Sequence, residues 1–277
     1  MREPSARGRR PDLSVVVVSH ESANLLPDCL DSIRRTCSDL DCEVTLVDNR
    51  SEDGSADLVL RRYPEVRVIS PPERSGFARN VNLGLAVSTG ECIMIANPDT
   101  RLLDGCPQSL LRFLKTHPRV GIAAPRLFNP DGSVQLSCRR FHTPAALLLR
   151  RGPWAKRFAN ADPVRRFMMA DWDHATVADV DWLIGGCLVV RRDALEDVGP
   201  LDERFFLYFE DVDWCMRMKM AGWRVCYVPH ATAIHFHRQE SAGSLLSPAA
   251  RHHLRSLLRF LIKYRGRLAP PRCRLRS

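Results

Sequence analysis

The chain has 277 residues, 45% of them hydrophobic, enough for one large domain or two small ones with a proper core. Its formal charge is +9, yet nine Lys/Arg and no acid lie from Arg251 onward, so positions 1–250 balance at 32 basic and 32 acidic residues. That distribution argues against a nucleic-acid-binding core and assigns any anionic contact to the C-terminus. Ten cysteines without a CxxC pair, several inside apolar runs such as those around Cys92 and Cys187, read as free thiols packing as small hydrophobes in a reducing cytosol. The first residues carry charge but no apolar h-region, as expected without a signal peptide, and no apolar run approaches the ~18 residues of a membrane span.

Leu13–His20 is a continuous β-branched run and predicts a buried strand. Leu26, Leu30 and Ile33 then fall on one helical face. A second strand ends at Asp48, followed by Ser51, Glu52 and Asp53 as cap and first-turn residues of a helix. "VRVISP" predicts a third strand, and "SGFARNVNLGLAVS" a helix stopped by Gly90. "ECIMIANPDT" predicts a fourth strand running into an acidic loop. Asp131-Gly132 signals a turn, and 142–178, rich in Arg, Pro and aromatics, reads as a mobile or acceptor-facing segment. Near the end come a strand broken by Gly185-Gly186, a helix opening at "YFEDVDW", a last strand through His235, and a basic amphipathic helix.

Strands alternating with helices at this period predict βαβ units and a mostly parallel sheet. Ligands of open α/β sheets bind beyond the carboxyl ends of the strands, where Asp48 and Asp99 fall. Neither G-x-G-x-x-G nor a Walker loop is present, so a metal ion is the candidate for handling phosphate. The crowded acids Glu210, Asp211 and Asp213 have two readings: first-turn acids matched to a helix dipole, or a catalytic base tuned by aromatic neighbours. Asp213 stands four residues before Arg217, the spacing of an internal ion pair.

In chain order, "VVVVSH", "VDNRSEDGS", "SGFARNVNLGL", "ANPDT", "LFNPDGSVQLSCRRF", "DWLIGGCLVVRR", "LDERFFLYFEDVDWCMRMKMAGWRV" and "IHFHR" resemble family 2 glycosyltransferases of the GT-A fold, in the bacterial rhamnosyltransferase-like branch. The resemblance covers roughly residues 13–265. It implies an α/β fold with a Rossmann-like, mostly parallel sheet flanked by helices, a nucleoside-diphosphate-sugar donor and a divalent metal, Mg²⁺ or Mn²⁺. Asp99 matches the metal-binding acid and Asn97 stands where the first acid of the family's Asp-x-Asp is usual. His235 matches a histidine completing the metal shell, with His237 as a rival because the family often shows His-His there. Asp48 and Asn49 match nucleoside contacts, and Ser19 and His20 close the first strand, where the family usually has Tyr-Asn in place of His20-Glu21. Arg79 matches an arginine near base and diphosphate, and Trp182 with Gly185 and Gly186 a segment facing donor or acceptor sugar. Asp211 matches the inverting base, with Glu210 as its close alternative.

The expected organisation is a flexible tail over 1–12, a transferase domain over 13–247 (nucleotide half 13–100, acceptor and catalytic half 101–247) and a basic C-terminal helix and tail over 248–277. That helix either packs its Leu254, Leu257, Leu258 and Leu261 side on the domain or lies on an anionic inner leaflet. The implied activity is transfer of a sugar, best L-rhamnose from dTDP-rhamnose, to a cell-surface glycan or lipid-linked acceptor by a cytoplasmic, peripheral enzyme. The rival readings are a catalytically silent binding or scaffold domain and a nucleotidyltransferase, the latter lacking its glycine-rich phosphate loop after the first strand.

Overall fold

A computed structural model describes residues 10–150, 155, 157–236 and 248–270. The first half alternates as its hydrophobic periods predict: β1 (Leu13–Ser19), α1 (Leu26–Thr36), β2 (Cys42–Asp48), α2 (Ser55–Arg62), β3 (Arg67–Ile69), α3 (Phe77–Val87) and β4 (Cys92–Ala96). Next come β5 (Thr100–Leu102), α4 (Cys106–Thr116), β6 (Val120–Phe128), β7 (Val134–Gln135), β8 (Cys138–Arg139), α5 (Pro144–Leu149) and α6 (Asp162–Met168). The chain continues through β9 (Ala178–Asp179), β10 (Trp182–Leu183), β11 (Cys187–Arg191), α7 (Arg192–Val198), α8 (Glu210–Met220), β12 (Arg224–His235) and α9 (Pro248–Lys263).

The main sheet runs β3-β2-β1-β4-β11-β6-β12-β5. The first four strands are parallel. β11 is antiparallel to both β4 and β6, while β6 and β12 are parallel to each other. Every residue of β1 is buried, because β2 and β4 flank it and helices cover both faces. One core layer contains Leu26, Leu30 and Ile33 of α1, and the other contains Val81 and Leu85 of α3 with Trp214 of α8. Gly84 lets α3 settle onto β1, since a Cβ there would lie 2.3 Å from Val16 Cγ1.

This topology gathers one edge. The carboxyl ends of β1, β2, β4, β6 and β12 share it, and antiparallel β11 contributes its start, just after Gly185-Gly186. α2 begins later than the acids before it suggest: Gly54 adopts φ +81 and Asp53 Oδ1 accepts the Ser55 N–H at 3.0 Å. Segment 142–178 contains two short helices, α5 and α6, packed against each other.

The C-terminal helix is built into the domain, and its leucine side is only partly the packed one. Phe260 is fully buried in the same core layer as Trp214, and Ser256 is buried beside it. Leu257 and Leu261 are partly buried, whereas Leu254 and Leu258 are each 52% exposed and Ile262 78%. Helical rotation past Ser256 and Phe260 decides the packed face.

Candidate active site

The first strand ends supply a buried polar patch. Ser19 pairs with Asp48 in register. Asp48 Oδ2 accepts the Ser51 N–H at 3.1 Å, but Asp48 Oδ1, Ser19 Oγ and Ser75 Oγ are buried without a hydrogen-bond partner among the described residues. Such orphaned atoms are costly and suit a ligand with complementary polar edges, as a nucleobase has. Asn49 is committed elsewhere: its amide donates to the Ser75 carbonyl at 3.0 Å and accepts the Ser75 N–H at 2.9 Å. It latches the loop before α3 to the end of β2. His20 is partly exposed with Nδ1 3.0 Å from the Asn49 carbonyl, leaving a ring face at the patch rim. Arg79 is exposed and lies 3.4 Å from Glu73.

At the end of β4, the Asn97 N–H donates to the Gly186 carbonyl at 3.0 Å, and the Thr100 hydroxyl donates to the same oxygen at 2.9 Å. This holds Asp99 beside His235, with Asp99 Oδ1 3.2 Å from His235 Nε2 and both side chains nearly buried. Gly186 is where His235 rests: a Cβ there would lie 3.0 Å from the ring. The other ring nitrogen, Nδ1, is 2.8 Å from Gln135 Oε1. No group of three His, Cys, Asp or Glu side chains able to hold a metal gathers among the described residues. A carboxylate oxygen and an imidazole nitrogen converging at this distance still fit a hard divalent cation that takes its remaining ligands from diphosphate oxygens and water. His237 lies outside the described residues.

Across the Gly-Gly segment stand the acids. Phe209 caps α8 at φ 69, following Tyr208 at φ 67, and this left-handed pair turns Glu210 and Asp211 into the first turn. Glu210 is buried with Oε2 lacking a partner among the described residues, and burial together with Asp211 pushes its pKa well up. Burial raises Asp211 to about 6, against the pull of the Val212, Asp211 and Gly185 N–H groups and the Arg139 charge. Arg139 is itself pushed down to about 10 by burial and by Arg150. Asp213 is fully buried and accepts from Arg217 Nε at 2.9 Å, Tyr264 hydroxyl at 2.8 Å and Lys263 Nζ at 2.5 Å. It anchors the helix, as its spacing predicts.

Trp182 departs from an exposed sugar platform. It is 8% exposed, donates its indole N–H to the Arg140 carbonyl at 3.0 Å, and faces His142, which also stacks on Phe209. It packs into an aromatic cluster with His142 and Phe167. Sequence reasoning missed Ser75 and Gln135; the motifs "SGFARN" and "NPDGSVQ" contain both, but nothing local reveals their partners.

Comparison with solved structures gives the fold, that of the GT-A glycosyltransferases. A GalNAc-T7 crystal structure with UDP, GalNAc and Mn²⁺ superposes with TM-score 0.62 at 15% identity, over 90% of this chain and 48% of that one. A mannosyltransferase of Pyrobaculum calidifontis with GDP-Man and Mn²⁺ also gives 0.62, at 20% identity, over 95% and 66%. Residues 14–199 match the profile of glycosyl transferase family 2, and the chain belongs to that family. Similar proteins include an N-acetylglucosaminyl-diphospho-decaprenol L-rhamnosyltransferase of Mycobacterium tuberculosis, 33% identical over 262 residues, covering 87% of this chain and 81% of that protein. Rhamnosyltransferase WbbL of Escherichia coli K12 is 40% identical over 86 residues, 31% of this chain and 32% of its own. The chain is therefore a glycosyltransferase enzyme, and the nucleotidyltransferase and silent-scaffold readings give way to that.

Proposed function

We propose that the protein transfers L-rhamnose, with inversion, from dTDP-rhamnose to a saccharide carried on a lipid diphosphate. The sugar and acceptor rest on the similarity to the mycobacterial L-rhamnosyltransferase, which extends over most of both chains. The chemistry rests on one observation: the Gly185 N–H is near enough to Asp211 to pull its pKa down, while Gly186 seats His235 and braces Asn97 and Thr100. A single dipeptide thus joins the base to the leaving-group side.

Ser19, Asp48 and Ser75 receive the base, with His20 against its face. Asp99 and His235 hold the cation, which when bound neutralises charge on the departing diphosphate. An acceptor hydroxyl attacks the anomeric carbon from the opposite face, its oxygen forming the new bond as the bond to diphosphate oxygen breaks. Asp211 takes the hydroxyl proton; Glu210, more strongly disfavoured as an anion, stays protonated beside it. A cleft of ≈ 410 Å³ includes Arg140, Thr143, Asp162 and Arg166 in its lining, and its two arginines support an anionic acceptor group.

The exposed face of α9 sets Leu254, Leu258 and Ile262 among Arg251 and Arg255, which supports docking on an anionic inner leaflet. Among the described residues no helix is long and apolar enough to cross a membrane. The test is transfer to a lipid-diphosphate N-acetylglucosamine from dTDP-rhamnose, set against UDP- and GDP-sugars, with and without Mn²⁺. An inverted rhamnosyl product is expected from the first donor alone; transfer only from another donor overturns the rhamnose assignment, and no donor-induced thermal shift in any metal condition overturns the whole reading.

A further inference from the structure

The segment that leads into Asp211 is bonded on two sides. α9 holds one of them: the Ser256 hydroxyl donates to the Leu207 carbonyl at 2.8 Å, and Lys263 Nζ reaches Asp202 at 2.7 Å. α3 holds the other. The Asn82 amide donates to the Leu201 carbonyl at 2.9 Å, and its oxygen accepts the Leu201 N–H at 3.0 Å. At the start of the same helix, the Phe77 N–H donates to the Phe206 carbonyl at 2.8 Å. Leu201 and Phe206 end one stretch, and Asp211 follows Phe206 by five residues.

Each contact depends on residue type. A primary amide carries donor and acceptor at one end, as two-way pairing with a backbone unit requires; aspartate lacks the donor and leucine lacks both. Phe77 is the first residue of α3, so its N–H has no carbonyl within the helix and takes one from outside. Gly76, just before it, has φ -70 and ψ 160, an extended conformation open to any residue. What requires glycine there is Phe206: a Cβ at position 76 would lie 2.7 Å from both its Cα and its carbonyl oxygen. The same turn borders the nucleotide patch. Ser75 precedes Gly76 and is held to Asn49 by two hydrogen bonds, and the Asn80 amide donates to the Gly76 carbonyl at 3.0 Å. Three consecutive residues, Ser75, Gly76 and Phe77, therefore lead from the patch to the loop of the catalytic base.

We propose that Asn82 and Gly76 are positioning residues for Asp211: they tether the 201–206 segment to α3 and so place the base relative to the nucleotide patch. The proposal rests on the roles given above to Asp211 and to the patch around Asp48. A displacement of about 1 Å at a reacting group costs on the order of 10²-fold in rate, so a tether remote from the chemistry has a large lever.

The test uses the full chain with dTDP-rhamnose, Mn²⁺ and lipid-diphosphate N-acetylglucosamine. Asn82→Ala removes hydrogen bonds at a half-buried position and no apolar packing. It is expected to lower kcat about 10- to 100-fold while dTDP-rhamnose affinity by calorimetry stays within about twofold. In an Asp211→Asn background the same substitution is expected to cost nothing further, because the group it places is gone. Hydrogen exchange over 201–210, without metal or donor, is expected to quicken in Asn82→Ala, with β1 and β4 unchanged. Glu203→Ala removes the other acceptor of the Asn82 amide, at 3.0 Å, and is expected to behave as the parent. Gly76→Ala pushes Phe206 instead of releasing it and is expected to lower kcat likewise; parent-like turnover there overturns the role of Gly76. An equal loss in the Asp211→Asn background, or a loss that falls on donor affinity and not on kcat, overturns the positioning role of Asn82. Unchanged exchange over 201–210 overturns the tether itself. Asp211→Asn with the parent's kcat, or a parent that transfers nothing, overturns the reaction proposed above, and the exchange data then decide the tether alone.

Discussion

A carboxylate that takes a proton from a sugar hydroxyl works best when its own proton affinity is raised but not so far that it is protonated at working pH. Asp211, lifted to about 6 by burial and restrained by three N–H groups, meets that condition. Asp211→Asn should lower kcat on the order of 10²–10⁴-fold. Donor affinity by calorimetry should stay near the parent's, because the proposed role of the residue is toward the acceptor. In the parent, kcat should climb with pH and level off above about 6, and the substitution should abolish that limb. The same shift has a stability consequence of definite sign. Burial holds the folded-state value above the unfolded one, so Asp211 stabilises the fold fully below the ordinary carboxylate range and withdraws that contribution as pH rises through about 6. Asp211→Asn should therefore melt above the parent at about pH 8 and level with it at about pH 4, by calorimetric scanning. A neighbouring pair separates sterics from chemistry. Gly186→Ala drives a Cβ to 3.0 Å from the His235 ring and should weaken Mn²⁺-dependent donor binding about tenfold. Gly185→Ala keeps the N–H to Asp211 and meets only Phe77 Cε1, at 3.8 Å, so its donor binding in the same titration should be near normal.

Among the elements, α8 and α9 act as a unit. Two successive aromatic residues at positive φ cost roughly 1–3 kcal/mol each and persist only where surroundings over-determine them. α9 supplies those surroundings: Phe260 packs on Phe209 with ring centroids 5.4 Å apart, the Ser256 hydroxyl donates to the Leu207 carbonyl at 2.8 Å, and Lys263 bridges Asp202 and Asp213. Phe260→Ala should cost roughly 3–5 kcal/mol in urea unfolding. In the folded fraction kcat should fall with donor affinity little changed, since the lost support lies under the base loop and not the nucleotide patch. Neither the left-handed pair nor this clamp was legible in the sequence. The strands were, because Val15–Val18 or Ile93–Ile95 declare burial by their own composition. The strand-end acids followed from topology. By contrast, the face of α9 that packs is centred on one phenylalanine meeting a loop about 50 residues away, and two of its four leucines, Leu254 and Leu258, are left outside. The burial of Trp182 was not legible either, because it depends on His142 and Phe167 arriving from another segment. Gln135 and His235 are 100 residues apart, and no local pattern joins them.

At the scale of the whole molecule, the charge asymmetry acquires a direction. The body is balanced, and the basic excess begins on a helix whose inner face is bonded to the catalytic half. Lys263 is spent on Asp202 and Asp213, so it is a strut, while Arg251 and Arg255 are exposed on the same helix as Leu254, Leu258 and Ile262. Arginines interleaved with exposed aliphatic side chains combine the two forces that hold an interfacial helix, attraction to anionic headgroups and burial of apolar area at the acyl boundary. Deleting the helix would be a poor test, because it removes Phe260 from the core and support from the base loop together. Leu254→Ser, Leu258→Ser and Ile262→Ser combined change only exposed positions and should leave the melting temperature near the parent's. Co-sedimentation with vesicles containing anionic lipid should drop severalfold, and binding by the parent should weaken as salt shortens the screening length from about 10 Å at 0.1 M. Transfer to a water-soluble acceptor analogue should be unaffected by the triple substitution, while transfer to a lipid-embedded acceptor falls. Equal losses on both acceptors would mean that the stripe acts through the fold, and unchanged vesicle binding would remove the membrane from the account altogether.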